Sequence, residues 1–154
     1  MFPEALQQAL RTYTAKGGHV LLSGSYIATD AWDALYPGVP KAPESTRTFV
    51  KLVLGYQWVT NFGDVSGFAL PQDQSGLPTV SYNRAWSPRI YKVDNADGIA
   101  PVGKDSQILL RYRGTDIPAA TLYKGKGYQV AAFGFPLETS AQMGEVIKTV
   151  LRTF

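Results

Sequence analysis

The stretch Gly127-Tyr128-Gln129-Val130-Ala131-Ala132-Phe133-Gly134-Phe135-Pro136-Leu137-Glu138 constrains this chain most. Residues 128–133 carry no charge and end in four apolar residues, the pattern of a buried strand. Gly134 and Pro136 break that strand. An amphipathic helix follows, with Met143, Val146, Ile147, Val150, Leu151 and Phe154 at helical spacing and a capping-box pattern from Thr139 to Gln142. A strand that turns sharply into a helix is the repeating unit of open α/β sheets, whose ligand crevice lies beyond the carboxyl ends of the strands. The residues at this turn are mostly aromatic and aliphatic, which is wrong for moving protons. The expectation is an α/β domain shaped like an enzyme and not working as one.

The N-terminal third points the same way. Phe2, Leu6, Ala9, Leu10 and Tyr13 recur at helical spacing behind Pro3, and Gly17-Gly18 ends that helix. Residues 19–22 read as a short buried strand that breaks at Ser23-Gly24-Ser25, with a helix restarting over 26–32. Three prolines and a glycine make 36–43 a loop. Ser45 or Thr46 caps a helix carrying Phe49, Val50, Val53 and Leu54, which Gly55 stops. The middle is β-rich, with strands expected at 57–60, 66–70, 79–82 and 90–93. Residues 107–112 and 119–123 form a hairpin across Arg113-Gly114-Thr115-Asp116, and 124–127 turn the chain into 128–133.

Together these elements predict a single domain over 1–154: α/β, a three-layer sandwich with a mostly parallel central sheet, truncated at its N-terminus and carrying a β-rich insertion or hairpin. A truncated sheet exposes an edge or an apolar helix face, which favours a homodimer or pairing with other domains of a parent protein.

Composition removes several functions. The net charge is +3, and basic residues such as Lys41, Lys51, Lys92 and Lys104 are scattered, so no nucleic-acid stripe forms. The chain has no cysteine, which excludes disulfides, thiolate metal sites and Cys nucleophiles. No apolar run approaches the ~20 residues of a membrane span, and no signal peptide is visible at the N-terminus. Glycine-rich dinucleotide and phosphate-loop patterns are missing, so no cofactor is expected. Asp94-Asn95-Ala96-Asp97-Gly98 resembles a calcium loop, but Val93 and Lys104 then fall where its first and last ligands belong. A turn is the reading there, and no metal site is predicted. Asp30 and Asp33 sit three apart and could face one side of a helix as a carboxylate pair, or simply open that helix to solvent.

Gly17-Gly18-His19-Val20-Leu21-Leu22-Ser23-Gly24-Ser25 and Ala131-Ala132-Phe133-Gly134-Phe135-Pro136-Leu137-Glu138 resemble segments of class I glutamine-amidotransferase-like domains, of the flavodoxin-like kind. Such domains occur in large secreted bacterial proteins, some labelled xanthan lyase. The resemblance implies an extracellular, cell-surface or periplasmic location. It also implies a Cys on the first turn and a His-Pro-Glu-type motif on the second. Here Ser25, or Ser23, stands at the first, and Phe135-Pro136-Leu137-Glu138 at the second. An aromatic replaces the imidazole, and Phe135 is expected to plug the pocket. His19 is the only histidine and precedes the first strand, about 16 Å from Ser25 for an extended run of ~5 residues. A nucleophile and its base must lie within hydrogen-bonding reach. No serine triad within one subunit follows.

Two functions remain. One is a non-catalytic accessory domain of a larger secreted polysaccharide-processing or cell-surface protein, binding a ligand or partner at the strand ends. The alternative is a remodelled hydrolase or lyase-associated domain using Ser25, or Asp30 with Glu138. Candidate ligand-binding residues are Ser25, Tyr26, Asp30, Trp32 and Trp86, and Ser25 and Glu138 are the catalytic candidates beside the Asp30 alternative. The loop aromatics Tyr26, Trp32, Tyr36, Trp58, Tyr82, Trp86 and Tyr91 can pack on the core, touch a neighbouring domain or stack on carbohydrate. Trp86 is the most suggestive, set in a polar, turn-rich segment between Arg84 and Arg89.

Overall fold

The computed structural model describes residues 2–32, 40–64 and 66–154. Helix α1 (Glu4–Ala15) starts behind Pro3, whose missing N–H costs nothing there, and Gly17 ends it at φ 84°. Strand β1 (Val20–Ser23) and a four-residue helix α2 (Thr29–Trp32) follow. Helix α3 (Glu44–Phe49) runs into a π-helical turn (Val50–Leu54) closed by Gly55 at φ 75°. Its N-terminal boundary residue is Pro43, so Ser45 and Thr46 lie inside the first turn and neither caps it.

Six strands then form most of the molecule's sheet framework: β2 (Tyr56–Thr60), β3 (Phe68–Pro71), β4 (Val80–Ser81), β5 (Gly98–Pro101), β6 (Ser106–Tyr112) and β7 (Pro118–Gly125). Strand β8 (Tyr128–Phe133), a 3-10 turn (Leu137–Thr139) and helix α4 (Met143–Thr153) complete the described chain. The expected strand at 90–93 is irregular backbone, and β5 was not anticipated. The expected cap at Thr139 is also displaced: its hydroxyl donates to the Pro136 carbonyl at 2.8 Å, and α4 begins only after Gln142.

The main sheet has the order β1-β8-β7-β6-β3-β4, and β2 pairs with β5 in a separate antiparallel ribbon. Among the described strands only β1 and β8 run parallel, in register from Val20 opposite Val130 to Ser23 opposite Phe133. All other neighbours are antiparallel. This overturns the three-layer α/β, flavodoxin-like sandwich with a mostly parallel sheet: the fold is β-rich, a curled half-barrel with a small second sheet. The reason lies in the connections. A parallel pair needs a crossover of a dozen or more residues, usually a helix. Between Leu54 and Phe133 no α-helix intervenes among the described residues, and β6, β7 and β8 follow one another through short turns. The strands expected as a β-rich insertion are the sheet itself.

Two cores flank β8. Its side chains alternate, with Ala131 and Phe133 joining one cluster beneath Val146 and Val150 of α4. Val130 and Ala132 join the other, among Phe49, Leu54 and Ile99. This period of two puts an apolar residue on both faces and explains the unbroken run Val130–Phe133.

Candidate functional site

Because β1 and β8 are parallel neighbours, both turns flagged in the sequence open at the same end of the sheet. The Gly24 N–H donates to the Phe133 carbonyl at 3.2 Å, and the Leu137 N–H reaches Ser23 Oγ at 3.4 Å. After β1 the backbone makes a sharp elbow, and Tyr26 sits at its apex with φ 62°, a left-handed conformation rare outside glycine. Its hydroxyl accepts from Asn95 Nδ2 at 2.6 Å.

Beneath the elbow lies a fully buried carboxylate, Asp97. Its Oδ2 accepts from the Ala28 and Thr29 N–H groups at 2.7 and 3.0 Å, and its Oδ1 accepts from Thr29 Oγ1 at 2.6 Å. Asp97 therefore caps the turn into α2, and Ser25, half-buried, lies in the turn before it. Burial pushes the Asp97 carboxyl above the usual range, against the bonds from Thr29 and Ala28 that favour its charge. Trp58 Nε1 donates to Thr29 Oγ1 at 2.9 Å, and the buried Tyr56 hydroxyl donates to the Ile27 carbonyl at 2.9 Å. Tyr112 donates to the Asp97 carbonyl at 2.7 Å. A side chain on Gly134 would place Cβ 2.0 Å from that same carbonyl oxygen. The elbow is thus mounted on a dense polar scaffold.

At the other side of the crevice, Glu138 is exposed and accepts from the Tyr91 hydroxyl at 2.6 Å. Burial, then the Glu138 bond, pushes the Tyr91 phenol up to about 12, so it remains a donor. Segment 91–97 links the two turns, tied to Glu138 at one end and to Tyr26 and α2 at the other. Phe135 is fully buried, stacked on Tyr82 with ring centroids 4.9 Å apart. His19 lies at the opposite end of β1. Its Nδ1 accepts from the Gln129 N–H at 2.9 Å, and its ring stacks on Phe154.

The other candidates disperse. Asp30 opens α2, half-buried, while Asp33 and Tyr36 lie outside the described residues. Trp32 is half-buried, with Lys51 Nζ 5.9 Å over its ring. Tyr82 is buried and donates to Asp64 Oδ2 at 2.8 Å. Among the described residues no three His, Asp or Glu side chains gather as metal ligands. No described helix is long and apolar enough to cross a membrane.

Trp86 stands apart, 80% exposed. It projects from a loop that is tied at its neck. Asn83 Nδ2 donates to the carbonyls of Ala85 at 2.8 Å and Tyr91 at 2.7 Å, and the Val93 N–H donates to the Asn83 carbonyl at 2.9 Å. Arg84 donates to the carbonyls of Val93 and Asp94. Beside this neck runs an open groove of about 490 Å³, walled by Phe68, Ser81, Asn83, Ile90 and Thr139. The sequence flagged Trp86 but not Asn83 or the groove, whose walls come from four separate stretches of chain. A search against protein-family models and curated protein sequences gives no match to this chain.

Proposed function

We propose that this chain is a non-catalytic binding domain of a larger secreted protein that processes polysaccharide or works at the cell surface, and that its ligand is carbohydrate. The observation that carries the reading is Trp86, bare to solvent on a loop that Asn83 holds closed. Burying an indole stabilises a fold, so leaving one exposed on an ordered loop gives up that stabilisation to keep a flat apolar platform outside. Rings of this kind stack on the C–H face of a sugar. The strand-end crevice supports the same reading. Phe135 is fully buried against Tyr82, Tyr112 and Phe133 rather than offered at the turn, and the one imidazole is bonded at the far end of β1. A serine hydroxyl with no base beside it is a poor nucleophile.

Affinity electrophoresis through gels containing soluble polysaccharides tests this. Retardation is expected, lost in Trp86→Ala and unchanged in Ser25→Ala and Glu138→Gln, with no new chain ends released. Chain cleavage that either Ser25→Ala or Glu138→Gln abolishes would establish an enzyme instead.

A further inference from the structure

Arg84, on the wall of the groove beside Trp86, is fixed at one end of its guanidinium and open at the other. Its stem lies against Gly67, where a Cβ would come within 2.6 Å of Arg84 Cγ. Its Nη1 donates to the Val93 carbonyl and to the Asp94 carbonyl, the latter at 2.8 Å. Those two bonds use both protons of that nitrogen. The Nε and Nη2 protons meet no acceptor among the described residues. Nε–H and Nη2–H lie parallel on one edge of the fork and match the two oxygens of a carboxylate. The acceptors that hold Nη1 are neutral carbonyls, so they orient the guanidinium without cancelling its charge. A side chain ordered in advance loses little freedom when a ligand arrives.

The surroundings add to this charge. Arg113 is exposed and its guanidinium lies 5.5 Å over the Phe68 ring, on the same wall. Arg89, also exposed, follows Trp86 by three residues. Among the described residues no carboxylate pairs with any of these three arginines. The acids nearby are engaged elsewhere. Asp64 is buried and accepts from Ser66, Gly67 and Tyr82. Asp94 pairs with Lys92 at 2.6 Å, and Glu138 accepts from Tyr91. Phe68 and Ile90, 38% and 40% exposed, supply apolar surface between the charges. The backbone of the groove is spent. The Ser81 N–H donates to Gln142 Oε1 at 3.0 Å, and the Phe68 carbonyl accepts from Arg113 N–H. An acidic peptide in extended form would find no ladder of main-chain bonds there.

We infer that this groove is a subsite for a uronic acid residue of an anionic saccharide, with its carboxylate on the Nε–Nη2 edge of Arg84 and its C–H face on Phe68 and Ile90. Arg113 lends a second positive charge at that wall. The inference rests on the carbohydrate-binding reading above and names the class of sugar.

The test is an NMR titration of the isotopically labelled chain with tetragalacturonate, tetramannuronate, methyl-esterified tetragalacturonate and cellotetraose. At least one uronate should give saturable shifts at the amides of Gly67, Ser81 and Asn83, at the Arg84 Nε–H and at the Trp86 indole. The methyl ester and cellotetraose should bind at least tenfold more weakly. Arg84→Gln should weaken the uronate at least tenfold, and Arg84→Lys should restore little of it, since an ammonium has no fork. Where either change disturbs the loop, Arg113→Gln carries the test on the exposed side, with an expected loss of about threefold. Equal or tighter binding of the methyl ester would overturn the role of the carboxylate. Shifts confined to residues 85–91 would overturn the groove and leave carbohydrate binding at Trp86 intact. Silence with both uronates would overturn this inference, and silence with the polysaccharide gels as well would overturn the carbohydrate reading with it.

Discussion

Asp97 and Asp64 are both buried carboxylates, yet they titrate in opposite directions. Burial dominates at Asp97, whose folded value is raised. The stability it contributes is fully present below the unfolded carboxylate value of about 4 and is lost as pH rises through the folded value. Burial alone would raise Asp64 too. There the Ser66 N–H, the Tyr82 hydroxyl, the Ser66 hydroxyl and the Gly67 N–H outweigh it and hold the carboxyl low. Its contribution is present above the unfolded value and is lost as pH falls through the folded one. Urea unfolding followed from pH 3 to 8 separates the two. Asp97→Asn should remove the decline above pH 4, and Asp64→Asn should remove part of the decline toward acid. Asp97→Ala leaves two buried N–H groups and a hydroxyl without their acceptor and should cost about 3 kcal/mol. In the sequence Asp97 stands out only within the calcium-loop-like stretch that reads as a turn. Its partners are 68 and 69 positions away, and no local pattern records such a bond.

The loop that carries Trp86 shows how a segment without repeating structure can still be ordered. Its neck depends on Asn83, so Asn83→Ala should raise amide hydrogen exchange across 85–92 by tenfold or more. The global unfolding free energy should fall by only about 1 kcal/mol. The junction of β8 with the 91–97 segment is far less forgiving. The Asp97 N–H donates to the Gly134 carbonyl at 2.7 Å, and a Cβ at Gly134 would collide with backbone that cannot rotate away. Gly134→Ala is expected to cost about 3 kcal/mol, read from the shift in denaturant midpoint. Periodicity revealed α1, β1, the β6–β7 hairpin and β8 to within a residue or two. It failed at 90–93, where Ile90, Tyr91 and Val93 suggested a strand, because Asn83 offers their carbonyls and N–H groups better partners than a ladder. It also passed over β5, a four-residue strand bounded by Gly98 and Pro101, two residues that punctuate strands more often than they build them.

Two strand-to-helix turns in the sequence suggest a mostly parallel sheet. They are genuine and adjacent, but they account for one parallel pair in a sheet whose other neighbours run antiparallel. The hairpin signals at 113–116 and 124–127 already implied that outcome. The residue types beside the first elbow were legible, while the elbow's apex at Tyr26 and the groove next to Trp86 needed long-range packing to be seen. The same topology divides folding into local and distant steps. Strands β6, β7 and β8 meet through short turns, whereas β1 must find a partner more than a hundred residues downstream. Loop closure makes the second step slow. Leu122→Ala, in the β7 core, should mainly slow refolding, and Leu22→Ala on β1 should mainly speed unfolding, as measured from chevron plots. One consequence reaches into synthesis. The ribosome makes β1 well before β8, its hydrogen-bonded neighbour among the described residues, which emerges more than a hundred residues later. Throughout that interval the nascent chain carries a bare apolar edge, so a trigger-factor-like holdase, or pausing that shortens the wait, would raise the yield of native protein more than any change to the finished surface.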